Sequence, residues 1–126
     1  MDAEPRIELT AERTKSDRAH VVPLSPQAVA ILQPYLANGD ALFDGFTAFS
    51  NSKAALDTKL RLHWVLHDLR RSCASSIAEL GFGTPWTVEA ILNHAKPGIM
   101  SVYNKATHAK EMREALTRWA EWIEAL

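Results

Sequence analysis

Polar and apolar residues alternate near the start of the chain, and this pattern predicts a pair of antiparallel strands. The alternation runs through residues 6–10, as expected where one face of a strand packs on a core. The polar stretch Lys15-Ser16-Asp17-Arg18 predicts a turn, and the segment His20-Val21-Val22 predicts the returning strand. We therefore expect a strand pair within about residues 6–23.

Beyond the strand pair, apolar residues recur at helical spacing. Ser25 followed by Pro26 predicts a helix start, because a hydroxyl caps free backbone N–H groups and proline suits the first turn. This helix is expected to reach about Leu36, and Thr84-Pro85 predicts a second such start. A last helix is predicted by an apolar seam at Met112, Leu116, Trp119, Ile123 and Leu126. With a helical part over about residues 25–126, the expected fold is mainly α with a small antiparallel β-sheet, an α+β class.

The helix predicted near the middle of the chain carries polar residues of chemical interest. Asp68 stands at its start, where a carboxylate favours the positive end of the helix dipole, and Gly81 predicts its end. His67 and Arg70 are three positions apart and are expected on one side of this helix. The predicted buried stripe consists of Leu69, Cys73, Ile77 and Leu80.

Composition restricts the class of protein. The chain of 126 residues is one domain long and can bury a modest core. No apolar run is long enough to span a membrane, and no signal peptide is visible. Cys73 is the only cysteine, so no internal disulfide can form, which fits a reducing compartment. The formal net charge of −1 argues against a free-standing DNA-binding protein, which usually carries a basic excess.

An ordered set of polar residues in the second half of the chain suits attack on a phosphodiester. The set reads His67-Asp68-Leu69-Arg70, then Leu92-Asn93-His94, then Tyr103, nine residues after His94 and past a Lys96-Pro97-Gly98 turn. The planar fork of an arginine can hold two phosphate oxygens and keeps its charge. A tyrosine phenol can attack phosphorus and form a covalent phosphotyrosine.

Three segments resemble the catalytic domain of tyrosine recombinases, in particular phage-type integrases. They are RTKSDRAHVVPLS, HDLRRSCASSIAELG and VEAILNHAKPGIMSVYNK, and the resemblance extends from about Ile7 to about Trp122. It implies a site-specific DNA recombinase that cleaves and rejoins strands through a 3′-phosphotyrosyl intermediate. It also implies that the reaction requires neither a metal nor another cofactor.

Carried over by position, the family's working residues fall on five residues of this chain. The resemblance makes Tyr103 the nucleophile and Arg70 a phosphate-binding residue. His67 would act as a base or orient the site, and His94 would donate a hydrogen bond to a non-bridging oxygen. Lys15 would be the general acid that protonates the departing 5′ hydroxyl.

The family has one more arginine, on a helix upstream of the strand pair, and no residue here matches it. Arg6 and Arg13 lie in or beside the first predicted strand, and we assign neither to that role. We therefore expect residues 1–126 to be an N-terminally truncated catalytic domain that is inactive in isolation. The implied partners are double-stranded DNA and further copies of the chain, as in the tetrameric synapse of the family. The last helix is expected to pack either on its own domain or, by exchange, on a neighbouring copy. The implied location is the bacterial cytosol, on DNA.

Other interpretations of the same residues stay open. The chain could be a catalytically silent fragment that binds only DNA or a protein, or a type IB topoisomerase-like enzyme with the same tyrosine chemistry. It could also be an all-α interaction module in which the motif is a coincidence, with Arg70 in a surface ion pair and the histidines in packing roles. His63 and His67 could share a metal, but no third ligand follows at a suitable spacing.

Overall fold

The structure is a computed structural model that describes residues 4–38, 42–43, 45–94 and 105–126. Within these residues, the secondary structure is a two-stranded antiparallel sheet and five α-helices, which confirms the predicted α+β class. None of these helices combines the length and apolar character needed to cross a membrane. The elements are β1 (Arg6–Leu9), β2 (His20–Pro23), α1 (Pro26–Leu32), α2 (Phe49–Leu60), α3 (Leu66–Glu79), α4 (Pro85–Ile91) and α5 (Lys105–Glu124).

The two strands are joined by a turn that is closed by its own side chains. Leu9 of β1 pairs with His20 of β2, and a short 3-10 helix follows β1. The Thr14 hydroxyl donates to the Arg18 carbonyl (2.7 Å) and accepts from the Arg18 backbone N–H (3.0 Å). Asp17 adopts a left-handed backbone conformation (φ 52°), which an aspartate tolerates better than most residues. The predicted strand pair is thus present, and its turn presents Lys15.

Helix α1 begins as predicted but ends earlier. The Ser25 hydroxyl accepts a hydrogen bond from the backbone N–H three residues later (3.2 Å), which confirms the cap. The α-helix ends at Leu32 rather than Leu36, because Pro34 has no N–H and its ring collides with the preceding turn. The chain continues as the 3-10 helix Gln33–Asn38, in which Leu36 is 64% exposed.

The buried stripe predicted for α3 is only partly correct. Ile77 is fully buried and Cys73 is half-buried, but Leu69 is 56% exposed and Leu80 is 40% exposed. The helix packs on α4 and α5. Helical periodicity identified residues that share a face, but it could not show that neighbouring elements cover only the middle of that face.

Helix α5 forms the centre of the small core. It packs against β2, α1, α3 and α4, with Met112 and Ala115 buried along its first half. Towards its end the predicted seam is open, because Ile123 is 43% exposed and Leu126 is 86% exposed. The first half of the seam therefore packs within the chain, and the last turn lies at the surface.

Candidate active site

Four of the five predicted site residues line one cleft of about 680 Å³. Lys15 comes from the turn between β1 and β2, and His67 and Arg70 come from the first two turns of α3. His94 comes from the segment that follows α4. The fifth residue, Tyr103, lies outside the described residues. We call this space the Lys15–Arg70 cleft.

The Lys15–Arg70 cleft concentrates groups that carry or can acquire positive charge. Arg13 and His20 also line it, although the sequence did not identify them as site residues. Among the described residues that line the cleft, there is no aspartate or glutamate. The described lining therefore has an excess of basic residues, although the net charge of the whole chain is −1. The remaining lining residues are Leu9, Thr14, Ser16, Leu92 and Asn93.

The C-terminal end of α4 anchors the cleft through its backbone carbonyls. The last carbonyls of a helix lack intrahelical partners and carry the negative end of the dipole, so they attract basic side chains. Here successive carbonyls accept hydrogen bonds from β2, from the turn and from α3. The pairs are His20 Nε2 with the Ile91 carbonyl (3.1 Å), Arg18 Nη2 with the Asn93 carbonyl (2.9 Å), and Arg70 Nη2 with the Leu92 carbonyl.

Arg70 and its neighbour Arg71 have different environments. Arg70 lines the cleft, and one of its nitrogens is held by the Leu92 carbonyl. A guanidinium has five N–H donors, so this contact leaves donors for an anion. The Arg71 side chain is 70% exposed and forms an ion pair with Asp68 at 3.4 Å. Arg71 does not line the cleft, and it is therefore a natural control for Arg70.

His94 is held by a carboxylate that sequence reasoning missed. Its Nδ1 lies 3.0 Å from Glu89 Oε2, and its backbone N–H donates to the Glu89 carbonyl (3.0 Å). Because a carboxylate accepts, this contact places a proton on Nδ1 and leaves Nε2 for a ligand. The residues are five positions apart, and the helix ends between them, so the usual helical spacings gave no signal.

Lys15 and His67 are exposed, and neither side chain has a hydrogen bond or ion pair in the part of the chain that the structure describes. Their polar atoms are accessible to a molecule in the cleft. The pair His63 and His67 finds no further ligand, since no group of three His, Cys, Asp or Glu side chains among the described residues could hold a metal ion.

Two titratable groups near Arg70 have shifted pKa values with clear causes. Burial lowers the pKa of His20, and the nearby charges of Arg70 and Arg18 lower it further, against the hydrogen bond to Ile91. Burial raises the pKa of Cys73 to about 11, with Arg70 acting in the opposite direction. His20 therefore favours the neutral form, and Cys73 stays a protonated thiol suited to packing.

Comparison with known proteins identifies the family. The model of the phage integrase family matches residues 1–110, and the chain belongs to this family. The expected relationship to phage-type integrases is thereby confirmed.

Individual relatives are much longer than this chain. Prophage integrase IntZ of Escherichia coli (strain K12) is 33% identical over 134 residues, covering 95% of this chain and 32% of the relative. Prophage integrase IntA of the same organism is 28% identical over 128 residues, covering 93% and 31%. The chain spans about a third of the length of these curated relatives. No solved structure matches the chain significantly.

Proposed function

We propose that this chain carries the scissile-phosphate site of a site-specific tyrosine recombinase. The observation that supports this function most strongly is the convergence of Lys15, His67, Arg70 and His94 on one cleft. These residues come from three separate segments, and the described lining contains no carboxylate. Cleavage of a phosphodiester requires neutralised charge, an aligned nucleophile and a proton for the leaving oxygen. The side chains of the cleft suit the first and third of these needs.

In this proposal, Arg70 and His94 bind the phosphate. The Arg70 donors that Leu92 does not engage bind the non-bridging oxygens of the scissile phosphate. Glu89 holds the His94 ring by Nδ1, and Nε2 donates to a non-bridging oxygen when the ring carries both protons. Arg13 lies in the same cleft and adds positive charge beside this site.

Bond breaking involves Tyr103, His67 and Lys15. The Tyr103 phenol oxygen attacks phosphorus, and His67 accepts the phenolic proton or orients the attacking group. The bond between phosphorus and the 5′ oxygen breaks, and the Lys15 ammonium gives that oxygen a proton. The 3′ phosphate stays on Tyr103 until a 5′ hydroxyl attacks it and restores the strand. The reaction uses neither a metal nor another cofactor.

The proposed substrate is double-stranded DNA, and the proposed setting is a recombining assembly of several copies in the bacterial cytosol. The exposed apolar residues Ile123 and Leu126 at the end of α5 support exchange of this end between protomers. The integrase match favours recombination over a type IB topoisomerase-like reaction with the same tyrosine chemistry.

The isolated chain is proposed to bind DNA without completing the reaction. No residue in it matches the family's first arginine, which would share the charge of the transition state with Arg70. Loss of one such contact costs on the order of 3 kcal/mol, or roughly a hundredfold in rate. A silent fragment that binds a protein instead of DNA would show no DNA binding in the following test.

Binding of a labelled DNA duplex, measured by fluorescence anisotropy over a range of salt concentrations, tests the phosphate site. We expect Arg70→Ala to weaken binding about tenfold and to lower the salt slope by about 0.9, the value for one lost phosphate contact. The matched control Arg71→Ala should change affinity by less than about twofold, because its charge is exposed and already paired. Equal effects of the two substitutions, or no DNA binding at all, would contradict the proposal.

A further inference from the structure

We propose that Asn93 is a positioning residue that holds the turn carrying Lys15 against the end of α4. This inference rests on the proposed function, in which Lys15 protonates the leaving oxygen. Asn93 directly precedes His94 and lines the Lys15–Arg70 cleft. The proposed mechanism assigns it no chemical step. The contacts of its side chain and its backbone indicate what it does.

Both contacts reach the residues around Lys15. The Asn93 side-chain amide donates to the Ser16 hydroxyl (3.1 Å), and the Asn93 carbonyl accepts from Arg18 Nη2 (2.9 Å). Ser16 directly follows Lys15, and Arg18 closes the same turn through Thr14. Two hydrogen bonds therefore join the turn to a residue more than seventy positions away in the sequence.

The backbone of Asn93 limits which residues this position accepts. Asn93 has a φ of 54°, in the left-handed region where the helix ends, and glycine, asparagine and aspartate adopt this conformation more readily than other residues. Glycine would satisfy the backbone and keep the carbonyl that accepts from Arg18. It would lack the amide that binds Ser16. Asparagine therefore adds a link to the turn at a position where most other side chains would cause strain.

The link matters because the groups of the cleft come from different elements. A general acid must lie within hydrogen-bond reach of the oxygen that it protonates. Arg70 is already fixed to the end of α4 through the Leu92 carbonyl, one residue before Asn93. Asn93 binds the turn to the same short segment. The positions of Lys15 and Arg70 are therefore both fixed relative to the end of α4. A single hydrogen bond of this kind changes an equilibrium by about three- to tenfold.

The first test measures how ordered the turn is in the chain of residues 1–126. Backbone order parameters at positions 14–18 are obtained from ¹⁵N relaxation. We expect Ser16→Ala and Asn93→Gly each to lower the order parameters of the turn, and the double variant to lower them no further. The control Ser16→Thr keeps a hydroxyl and should leave the turn as ordered as in the wild type. Unchanged order parameters in both single variants would overturn the proposal.

The second test asks whether the link acts through Lys15. It uses the chain extended upstream by a segment that carries the family's first arginine, and DNA with either oxygen or sulfur at the 5′ leaving position. A departing thiolate needs no proton, so loss of the general acid slows only the oxygen substrate. We expect Asn93→Gly and Ser16→Ala to slow single-turnover cleavage of the oxygen substrate about three- to tenfold, the effect of one hydrogen bond, and to leave the sulfur substrate nearly unchanged.

The outcomes separate the two proposals. Equal slowing of both substrates by Asn93→Gly would overturn its action through Lys15. The proposed function fails if the extended wild type cleaves neither substrate, or if Lys15→Ala slows cleavage of the sulfur substrate as much as that of the oxygen substrate. In either case the positioning role of Asn93 in catalysis is also contradicted. The relaxation result still decides separately whether Asn93 holds the turn.

Discussion

The carboxylate of Glu89 lies 3.0 Å from Nδ1 of His94. This contact connects the last turn of α4 to the segment that follows the helix. A ring held in this way has one nitrogen occupied and one nitrogen available. The orientation of His94 in the cleft therefore depends on an acidic residue that does not line the cleft itself.

Replacing Glu89 should disturb His94 without unfolding the chain. Glu89→Ala removes the acceptor for Nδ1–H, and we expect ¹⁵N NMR of the ring to show a mixture of tautomers. Loss of about 1 kcal/mol for this half-exposed contact corresponds to roughly fivefold weaker DNA binding. Glu89→Gln retains an acceptor oxygen and should stay within about twofold of the wild type. A His94 ring that keeps one tautomer in Glu89→Ala would contradict the assignment.

The stability of the fold should depend on Ile77 far more than on Leu69, although both belong to the predicted stripe of α3. Ile77 is fully buried, so Ile77→Ala should lower the free energy of unfolding by about 3 kcal/mol through lost contacts and a cavity. Leu69 is 56% exposed, and Leu69→Ala should cost less than about 1 kcal/mol. Urea denaturation of the two variants measures the difference, and equal losses would mean that the packing described for α3 is wrong.

His20 should make the folded chain less stable in mild acid. Its pKa is lowered in the folded state from the ordinary value of 6.5, mainly by burial, so the unfolded state binds more protons between the two pKa values. This contribution to stability is then lost as the pH falls through 6.5 towards the lower pKa of the folded state, and it is recovered as the pH rises. His20→Gln lacks this titration and should lose less stability over the same range, as measured by urea denaturation at each pH. A wild type that gains stability relative to His20→Gln in acid would contradict the burial of this ring.

Local signals along the chain predicted most of the elements, because caps and breakers act on the nearest backbone groups. Ser25-Pro26 and Thr84-Pro85 marked helix starts where their hydroxyls accept hydrogen bonds in the structure. The extent of burial was less predictable, because it depends on what covers each face. Leu69 and Leu80 have the same periodicity as Ile77 but lie partly outside the contact with α4 and α5.

The site was predictable only where its residues take part in the proposed chemistry. Lys15, His67, Arg70 and His94 stood out through the resemblance to integrases, and they line one cleft. Residues that hold these groups did not stand out, because their contacts join positions distant in sequence or cross a helix end. Asn93 had one local signal, since an asparagine after a helix favours the left-handed conformation, but its partner Ser16 could not be inferred.

Trapping of a covalent protein–DNA adduct tests the central claim most directly. A suicide DNA duplex that loses its 5′ strand after cleavage is incubated with protein and resolved on a denaturing gel. We predict no shifted band from residues 1–126 alone, a band from the chain extended with the family's first arginine, and no band when that extended form carries Tyr103→Phe. A band that survives Tyr103→Phe would show that another residue is the nucleophile and would contradict the proposed mechanism. A band from the short chain would contradict the requirement for the additional arginine.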